Sequence, residues 1–383
     1  MSMNDAEKIL DITRKQQDEF LCLLQTAVEL ESPTYGDKAA SDKCAEFFMN
    51  FYKSLGFTVS SVPQTECGDH VIAEYGQGDK TLLIIGHYDT VFPIGSLQTM
   101  PWKIEGQKAY GPGTFDMKGG LLQAGFAVKA LQTMGIAINK KIRIMISGDE
   151  ESGSRTSREI FKAAAAECDW ALIPEPGLLD IGAVKTARKG RAVYKLIVKG
   201  RSSHAGNFPE KGISAIQELA AQTLALCAMN DFEAGVSVSP SYITSGVEAT
   251  AMIPGEGFLE MDVRAPNMLL LQEVDAAIRL LKPTMEGVSL ELLGGIEKPP
   301  LEFSEKSKSL FEHARKLAEE MGVTLEWHKA GGGTDGNFIA STGIPILDGL
   351  GMTGDFLHNP KEYINIDHIP FRTALVARLI QTL

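Results

Sequence analysis

The sequence predicts an α/β protein in which a domain with a mainly parallel sheet is interrupted by a ferredoxin-like α+β domain. Three observations lead to this fold class. The chain has 383 residues, more than the roughly 250–300 residues at which a single core stops growing. Short apolar strands alternate with helices on both sides of the central region. The central region itself has the order β-α-β-β-α-β, which is the ferredoxin-like motif.

The first domain is predicted from three β-rich apolar runs that end in polar residues. They are TLLIIGHYD (81–89), KIRIMISGDE (141–150) and CDWALIPEP (168–176). Between the first two, residues 119–135 space their apolar side chains at helical intervals and stop at Gly135. Strands that are apolar on both faces form parallel sheets covered by helices, and such sheets bind ligands beyond the carboxyl ends of the strands. We therefore expect the polar tails of these runs to form a ligand-binding edge.

The central region changes to an α+β pattern from about residue 187. Its predicted elements are strands at 191–200, 236–246, 257–265 and 288–293, and helices at 212–230 and 268–282. Beyond residue 300 the alternation of helices and strands resumes, ending in a helix from Pro370. The sequence thus predicts one domain of residues 1–186 and 300–383, with a second domain of residues 187–299 inserted into it.

Composition restricts the class of function. The net charge is −12, which argues against a nucleic-acid partner because such a partner calls for a basic surface. The five cysteines are scattered without a C-x-x-C pair, so neither a disulfide framework nor a thiolate zinc site is indicated. The first 20 residues lack an apolar signal core, and no run approaches the about 20 apolar residues of a membrane span. We expect a cytoplasmic enzyme or binding protein.

Two short motifs contain residues suited to metal binding. His87 and Asp89 form H-Y-D at the end of a strand, where Asp89 could accept a hydrogen bond from the imidazole and fix its tautomer. A histidine satisfied within a turn is the alternative. Asp116 lies in the glycine-rich stretch GPGTFDMKGG before a helix, and it could equally be a helix N-cap.

Three adjacent carboxylates, Asp149, Glu150 and Glu151, follow the strand of residues 141–147. On their own they are typical of a solvated surface turn. Glu175 follows another strand, however, and His358 follows the apolar run IPIL near the C-terminus. If these loops meet at one edge of the sheet, divalent cations are needed to neutralise the carboxylates. Nitrogen and oxygen ligands without thiolates favour zinc, with cobalt or manganese as further possibilities.

The ordered motifs of the chain resemble those of the M20 family of dinuclear zinc peptidases and deacylases. The motifs are GHYDTV, GPGTFDMKGG, GDEESGS, PEPG, RSSHAG, GGGTDGNF and LHNPKEYI. Each one is weak alone, but the ordered set is specific and covers almost the whole chain. Within the family, the sequence is most similar to the glutamate carboxypeptidase (carboxypeptidase G2-like) group. The resemblance implies a zinc-peptidase-like catalytic domain, an inserted dimerisation/lid domain and a homodimer.

The resemblance also implies roles for individual residues. Two zinc ions per chain would be bound, with Asp116 bridging both. His87 and Glu175 match the other ligands of one ion, and Glu151 and His358 match those of the other. Glu150 matches the general base that takes a proton from a water shared by the metals. Asp89 matches the residue behind His87, and the role of Asp149 stays open.

The inserted domain contains two further matches and one departure. His204 in RSSHAG matches a histidine that stabilises the oxyanion, commonly in the partner's active site; a loop histidine is the alternative. Arg264 matches an arginine that binds the substrate carboxylate, with a surface arginine as the alternative. Ala251 stands where many relatives have an asparagine that contacts the substrate. GGGTDGNF is expected to form a substrate-side loop without a catalytic role.

The leading prediction is a metallocarboxypeptidase that releases a C-terminal amino acid, with glutamate the expected residue, from peptides or N-acyl conjugates. An N-acyl-amino-acid deacylase or dipeptidase of the same family is the close alternative. A catalytically silent binding or dimerisation protein is a different class, but Glu150 and all five ligand positions are intact. A two-metal phosphoryl-transfer enzyme lacks the support of a Walker-type loop. No nucleic-acid or membrane partner is expected.

Overall fold

The structure is a computed structural model that describes residues 4–178, 182–246 and 250–383. Its helices are α1 (Asp5–Lys15), α2 (Gln17–Glu29), α3 (Lys38–Ser54), α4 (Gly119–Thr133), α5 (Arg158–Ala165), α6 (Ala215–Cys227), α7 (Met268–Arg279), α8 (Glu305–Glu319), α9 (Gly336–Ile339) and α10 (Ile369–Thr382). Among the described residues, no helix has both the length and the apolar character needed to cross a membrane.

The strands are, in chain order, β1 (Thr58–Val62), β2 (His70–Tyr75), β3 (Thr81–His87), β4 (Lys103–Glu105), β5 (Lys108–Tyr110), β6 (Lys141–Ser147), β7 (Trp170–Ile173), β8 (Val184–Arg188), β9 (Gly190–Lys199), β10 (Ser203–His204), β11 (Ser237–Ser245), β12 (Met252–Ile253), β13 (Glu256–Ala265), β14 (Ser289–Lys298), β15 (Trp327–Ala330), β16 (Ile346–Asp348), β17 (Gly354–Asp355) and β18 (Tyr363–Asn365).

The chain divides into two compact units. Unit 1 comprises Met1–Thr186, Phe303–Lys329 and Thr334–Leu383, and unit 2 comprises Ala187–Glu302 and Ala330–Gly333. Each unit has its own hydrophobic core. Unit 1 is therefore built from segments on both sides of unit 2 in the sequence.

The sheet of unit 1 has eight strands in the order β1-β2-β6-β3-β7-β16-β8-β15. Its central strands β6, β3, β7 and β16 are parallel, whereas β2 and β8 join them antiparallel. The residues of β3 from Leu82 to His87 are buried, as expected for a strand covered on both faces. The predicted fold class, a large and mainly parallel sheet with an α+β insertion, is confirmed.

Helix α4 lies close against the sheet because its first turn contains glycine. A Cβ atom at Gly120 would collide with the main-chain carbonyl of Pro174, which follows β7. Leu121, Leu122 and Phe126 of the same helix are buried. The close approach brings the loop before α4 to the carboxyl end of the sheet.

A smaller sheet of unit 1 has the order β17-β18-β5-β4. Its strands contain only two or three residues each, too few to show a periodic pattern in the sequence. The sheet joins the segment before α4 to the segment around His358, because β5 pairs with β18.

The fold of unit 2 is ferredoxin-like. Its four-stranded sheet has the order β11-β13-β9-β14, with every pair antiparallel. The buried side chains of α6 and α7, such as Leu219 and Leu271, pack in a core with Tyr194 and Met261 of the sheet. A separate two-stranded ladder pairs β10 with β12.

Candidate active site

All five predicted metal ligands lie at the carboxyl edge of the unit 1 sheet. His87 is the last residue of β3, Glu151 follows β6, and Glu175 follows β7. Asp116 lies in the loop before α4, and His358 lies between β17 and β18. The parallel strands bring their carboxyl ends to one edge, and the helix and the small sheet add the other two residues. The structure therefore brings together residues that are up to 271 positions apart, from His87 to His358.

Asp116 lies between the two histidines. Its Oδ1 atom is 3.2 Å from His87 Nε2, and its Oδ2 atom is 3.1 Å from His358 Nε2. Glu175 Oε1 lies 3.5 Å from His87 Nε2, and Glu151 Oε1 lies 3.2 Å from His358 Nε2. The site thus consists of two groups of ligand atoms that share one carboxylate.

These distances fit metal ions. Ligand atoms about 2.0–2.1 Å from a tetrahedral zinc ion are about 3.3 Å from one another, and the four separations of 3.1–3.5 Å are close to that value. Within the described part of the chain, no hydrogen bond satisfies the buried atoms Asp116 Oδ1 and Glu151 Oε1. Buried polar atoms without partners are rare unless an ion or water completes them. The donor set therefore fits a pair of divalent cations.

The closeness of the carboxylates and histidines also shifts the pKa values of these side chains. Burial opposes a charge on His87, but the carboxylates of Asp116, Asp89 and Glu175 outweigh it and raise the pKa well above its ordinary value. The neighbouring carboxylates of Asp116 and Glu151 raise the pKa of His358 to about 10. Burial, followed by repulsion from Asp116, raises the pKa of Glu151 to about 8. The carboxylates thus create a site that favours positive charge, which divalent cations would supply if the histidines bound them as neutral ligands.

The main-chain carbonyl of Asp89 sets the orientation of the His87 ring. His87 Nδ1 lies 2.9 Å from the carbonyl oxygen of Asp89 and 3.4 Å from the carboxylate. A carbonyl can only accept, so Nδ1 donates and Nε2 faces the ligand atoms. The Asp89 carboxylate instead accepts from the backbone N–H groups of Glu150 and Glu151, at 3.2 and 3.1 Å, and from the hydroxyl of Thr34.

Residues 147–154, called here the base turn, contain the three adjacent carboxylates. They are not a solvated surface turn, because Asp149 and Glu150 are buried and Glu151 is largely so. Asp149 accepts from the backbone N–H and hydroxyl of Thr156, at 2.7 and 2.9 Å, and from the hydroxyl of Ser157 at 2.6 Å. Asp149 therefore holds the chain that leads into α5, while the carboxylate of Glu151 lies beside His358.

A second group of potential ligand atoms is Cys67, His70 and Asp149, which lie within 4.8 Å of one another. Their atoms already have partners. His70 Nδ1 accepts from the backbone N–H of Gly148 at 3.2 Å, and His70 Nε2 lies 2.9 Å from the hydroxyl of Thr156. Through these hydrogen bonds the group holds Gly148 and Thr156 on either side of the three carboxylates.

Glu362 is a buried carboxylate beside the site that the sequence analysis did not single out. It is 1% exposed, and it accepts from the backbone N–H groups of Phe115 and Asp116 at 2.8 and 3.0 Å and from that of Gly113 at 3.3 Å. Burial raises the pKa of Glu362 to about 8 against the effect of these donors. The motif LHNPKEYI contains Glu362, but only the fold shows that it holds the Asp116 loop.

His204 and Arg264 lie in unit 2. His204 Nδ1 accepts from the backbone N–H groups of Gly206 and Asn207, at 3.1 and 3.0 Å, so the proton of a neutral ring is on Nε2. The guanidinium of Arg264 pairs with Asp262, with Nε 2.6 Å from Oδ1. The main-chain carbonyl of Ala251 accepts from the N–H of Ala205 at 2.7 Å. This hydrogen bond links the segment around Ala251, where the sequence departs from many relatives, to the loop that contains His204.

Comparison with known proteins agrees with these observations. The model of the family described as peptidase family M20/M25/M40 matches residues 83–382. Carboxypeptidase G2 of Pseudomonas sp. (strain RS-16) is 31% identical over 379 residues, covering 96% of this chain and 90% of the relative. Succinyl-diaminopimelate desuccinylase of Hydrogenovibrio crunogenus is 25% identical, covering 94% of this chain and 99% of the relative.

A solved structure shows the same fold. Aminopeptidase PepT from Bacillus cereus ATCC 10987 matches with a TM-score of 0.80 and 22% identity, covering 99% of both chains. The match spans both units, and the sequence relatives include hydrolases with different substrates. The chain therefore belongs to peptidase family M20, whose members are metal-dependent hydrolases of peptide and amide bonds.

Proposed function

We propose that this protein is a dinuclear zinc metallocarboxypeptidase that releases a C-terminal amino acid, with glutamate the expected residue, from peptides or N-acyl conjugates. The observation that carries the proposal is the division of Asp116 between two histidines, each facing a further carboxylate. One ion would be held by His87, Asp116 and Glu175, and the other by Asp116, Glu151 and His358. Cobalt or manganese would suit the same ligands.

Glu150 is proposed as the general base. When bound, the metal ions lower the pKa of water and polarise the scissile carbonyl. Glu150 then accepts the proton of the attacking water and returns it to the leaving amine. Its backbone N–H is held by Asp89, so its position is fixed relative to His87. Its neighbour Glu151 serves as a ligand, which explains why two adjacent glutamates are needed.

His204 and Arg264 complete the proposed mechanism. The proton on His204 Nε2 suits donation to the negative oxygen that develops on the carbonyl. The guanidinium of Arg264 suits a substrate carboxylate, which would have to compete with Asp262 for it. In this proposal residues 1–186 and 300–383 form the catalytic domain, and residues 187–299 form a dimerisation/lid domain in a homodimer. The cytoplasmic location stays a prediction from the sequence.

An N-acyl-amino-acid deacylase or dipeptidase is the alternative within the family. The relatives support both the carboxypeptidase and the deacylase proposal, because a carboxypeptidase and a desuccinylase each match along nearly the whole chain. Ala251 in place of the usual asparagine favours a substrate preference different from that of many relatives. A small panel of substrates separates the two.

The test is amino-acid release by the zinc-loaded protein from acetyl, benzoyl and dipeptide conjugates of Glu, Asp, Ala and Leu. Glu150→Ala serves as the blank. Preferential release of glutamate across several acyl groups is the expected result. Turnover that follows the acyl group would make the protein a deacylase, and absence of hydrolysis from the whole panel would overturn the proposed function.

A further inference from the structure

The motif GGGTDGNF contains a buried aspartate that contacts the base turn at both of its ends. Asp335 is 2% exposed. Its Oδ2 atom accepts from the hydroxyl of Ser147 at 3.1 Å, and its Oδ1 atom accepts from the hydroxyl of Ser154. Ser147 is the last residue of β6, and Ser154 is the last residue of the turn. One carboxylate therefore joins the two points between which Glu150 and Glu151 lie.

The turn needs such support because its backbone is unusual. Ser154 has a φ of 54°, in the left-handed region that residues with a Cβ atom rarely adopt. Its side chain and backbone are both held, since the hydroxyl donates to Asp335 and the N–H donates to the carbonyl of Asp149 at 2.8 Å. Ser147 and Ser154 are each fully buried, so water does not replace these hydrogen bonds.

Asp335 is itself held in place by its own loop. The backbone N–H of Thr334 donates to Asn337 Oδ1 at 2.9 Å, and the N–H of Gly336 donates to the hydroxyl of Thr334 at 3.0 Å. That hydroxyl donates in turn to Asp348 of β16 at 3.1 Å. A Cβ atom at Gly336 would collide with Ile173, so the loop lies directly on β7. The Asp335 carboxylate therefore contacts the base turn from a loop that is held by its own hydrogen bonds and by packing on β7.

The register of the sheet connects this support to the metal ligands. Ser147 lies beside His87 in the parallel pair of β6 and β3, and the N–H of Tyr88 donates to the carbonyl of Ser147 at 3.0 Å. Asp89 holds the middle of the base turn through the N–H groups of Glu150 and Glu151. The middle and the two ends of the turn are therefore fixed by different aspartates.

We propose that Asp335 is a positioning residue that places Glu150 for proton transfer by fixing Ser147 and Ser154. The proposal rests on the proposed function, in which Glu150 is the base. It gives the GGGTDGNF motif a role in the reaction that Asp335 performs through the base turn. A misplacement of about 1 Å can reduce a rate by about 100-fold, so a modest relaxation of the turn has a measurable effect.

The experiment measures kcat, KM, zinc per chain and thermal stability for Asp335→Ala and Ser154→Gly in the whole chain of 383 residues. Ser154→Gly removes the hydroxyl while tolerating the positive φ, and it provides a test even if Asp335→Ala does not fold. Ser341→Ala is the matched control, because Ser341 lies in the same segment and its hydroxyl donates to the carbonyl of Phe338 rather than to Asp335. The substrate is the member of the panel that the wild-type protein hydrolyses fastest.

We expect kcat to fall by about 10- to 100-fold in Asp335→Ala and less in Ser154→Gly, with KM changed by less than about twofold and zinc retained. A double variant that combines Asp335→Ala with Glu150→Gln tests whether Asp335 acts through Glu150. If Asp335 acts through Glu150, the double variant loses little beyond Glu150→Gln alone, since residues that act as a unit are not additive.

Two results would overturn the inference. A lower melting temperature with unchanged kcat per folded enzyme would make Asp335 purely structural, and losses that multiply in the double variant would separate it from Glu150. Both results leave the proposed function intact, because wild-type hydrolysis is measured in the same series. A wild-type protein without any hydrolysis would instead overturn the proposed function, and the inference would fall with it.

Discussion

Replacing Glu362 by glutamine tests how the Asp116 loop is held. In the structure one carboxylate oxygen accepts from the N–H groups of Phe115 and Asp116, and the other accepts from that of Gly113. A glutamine can keep the first two hydrogen bonds through its carbonyl oxygen. Its NH₂ group would then face the Gly113 N–H at about 3.3 Å, where two donors meet.

The expected loss of zinc affinity in Glu362→Gln follows from these three hydrogen bonds. Nearby cations favour the ionised form of Glu362 in the metal-loaded protein. Loss of one hydrogen bond and conversion of two others from charged to neutral costs about 1–3 kcal/mol, of which every 1.4 kcal/mol is about tenfold in an equilibrium constant. We therefore expect zinc to bind about 10- to 100-fold more weakly, as is typical when a group that orients a metal ligand is removed.

The assay is zinc competition with a chelator of known affinity, followed in the wild-type protein, Glu362→Gln and Glu105→Gln. Glu105 is an exposed glutamate of the same small sheet, paired with Lys103, and its replacement is expected to change the affinity less than twofold. Equal zinc affinities in Glu362→Gln and the control would refute the reasoning, because Asp116 would then keep its position without the carboxylate.

Three further predictions concern other parts of the molecule. His204→Ala should lower kcat and leave zinc content unchanged, because His204 is proposed to donate to the oxyanion; loss of zinc on metal analysis would place it among the ligands instead. Arg264→Lys should raise KM for glutamate conjugates more than it changes kcat, since a planar guanidinium binds a carboxylate through two hydrogen bonds; an unchanged KM would leave only its pairing with Asp262. Arg372→Met should lower the free energy of unfolding by about 3 kcal/mol or more, because the buried guanidinium donates to the carbonyls of Gly182, Gly349 and Gly351; chemical denaturation would show this, and a loss no larger than in exposed Arg315→Met would contradict it.

The sequence predicted the fold class because its central elements obey simple periodicities. Strands β3, β6 and β7 are apolar runs between helices, and the six main elements of unit 2 appear in the expected order. Strand β14 extends to Lys298, beyond the predicted end at residue 293, because it continues to pair with β9 through Gly294 and Gly295. The small sheet was not predicted, since its strands are too short to carry a pattern.

The candidate site could be predicted as a set of residues but not as a set of contacts. Chemistry and motif order indicated His87, Asp116, Glu151, Glu175 and His358 as ligands, and the structure brings all five together. The supporting carboxylates were beyond the reach of the sequence. Asp335 and Glu362 act on segments that are more than 180 residues away along the chain, and only the folded sheet shows which segments they meet.

Glu150 and Glu151 are proposed to have different roles, one as the base and the other as a metal ligand, and metal analysis of Glu150→Gln and Glu151→Gln beside the wild-type protein distinguishes the two. Zinc per chain is measured after equilibrium dialysis, together with kcat on the fastest substrate of the panel. We predict that Glu150→Gln keeps two zinc ions and loses nearly all turnover, whereas Glu151→Gln loses one ion. Loss of zinc from Glu150→Gln would make Glu150 a metal ligand, and full turnover in that variant would show that Glu150 is not the base.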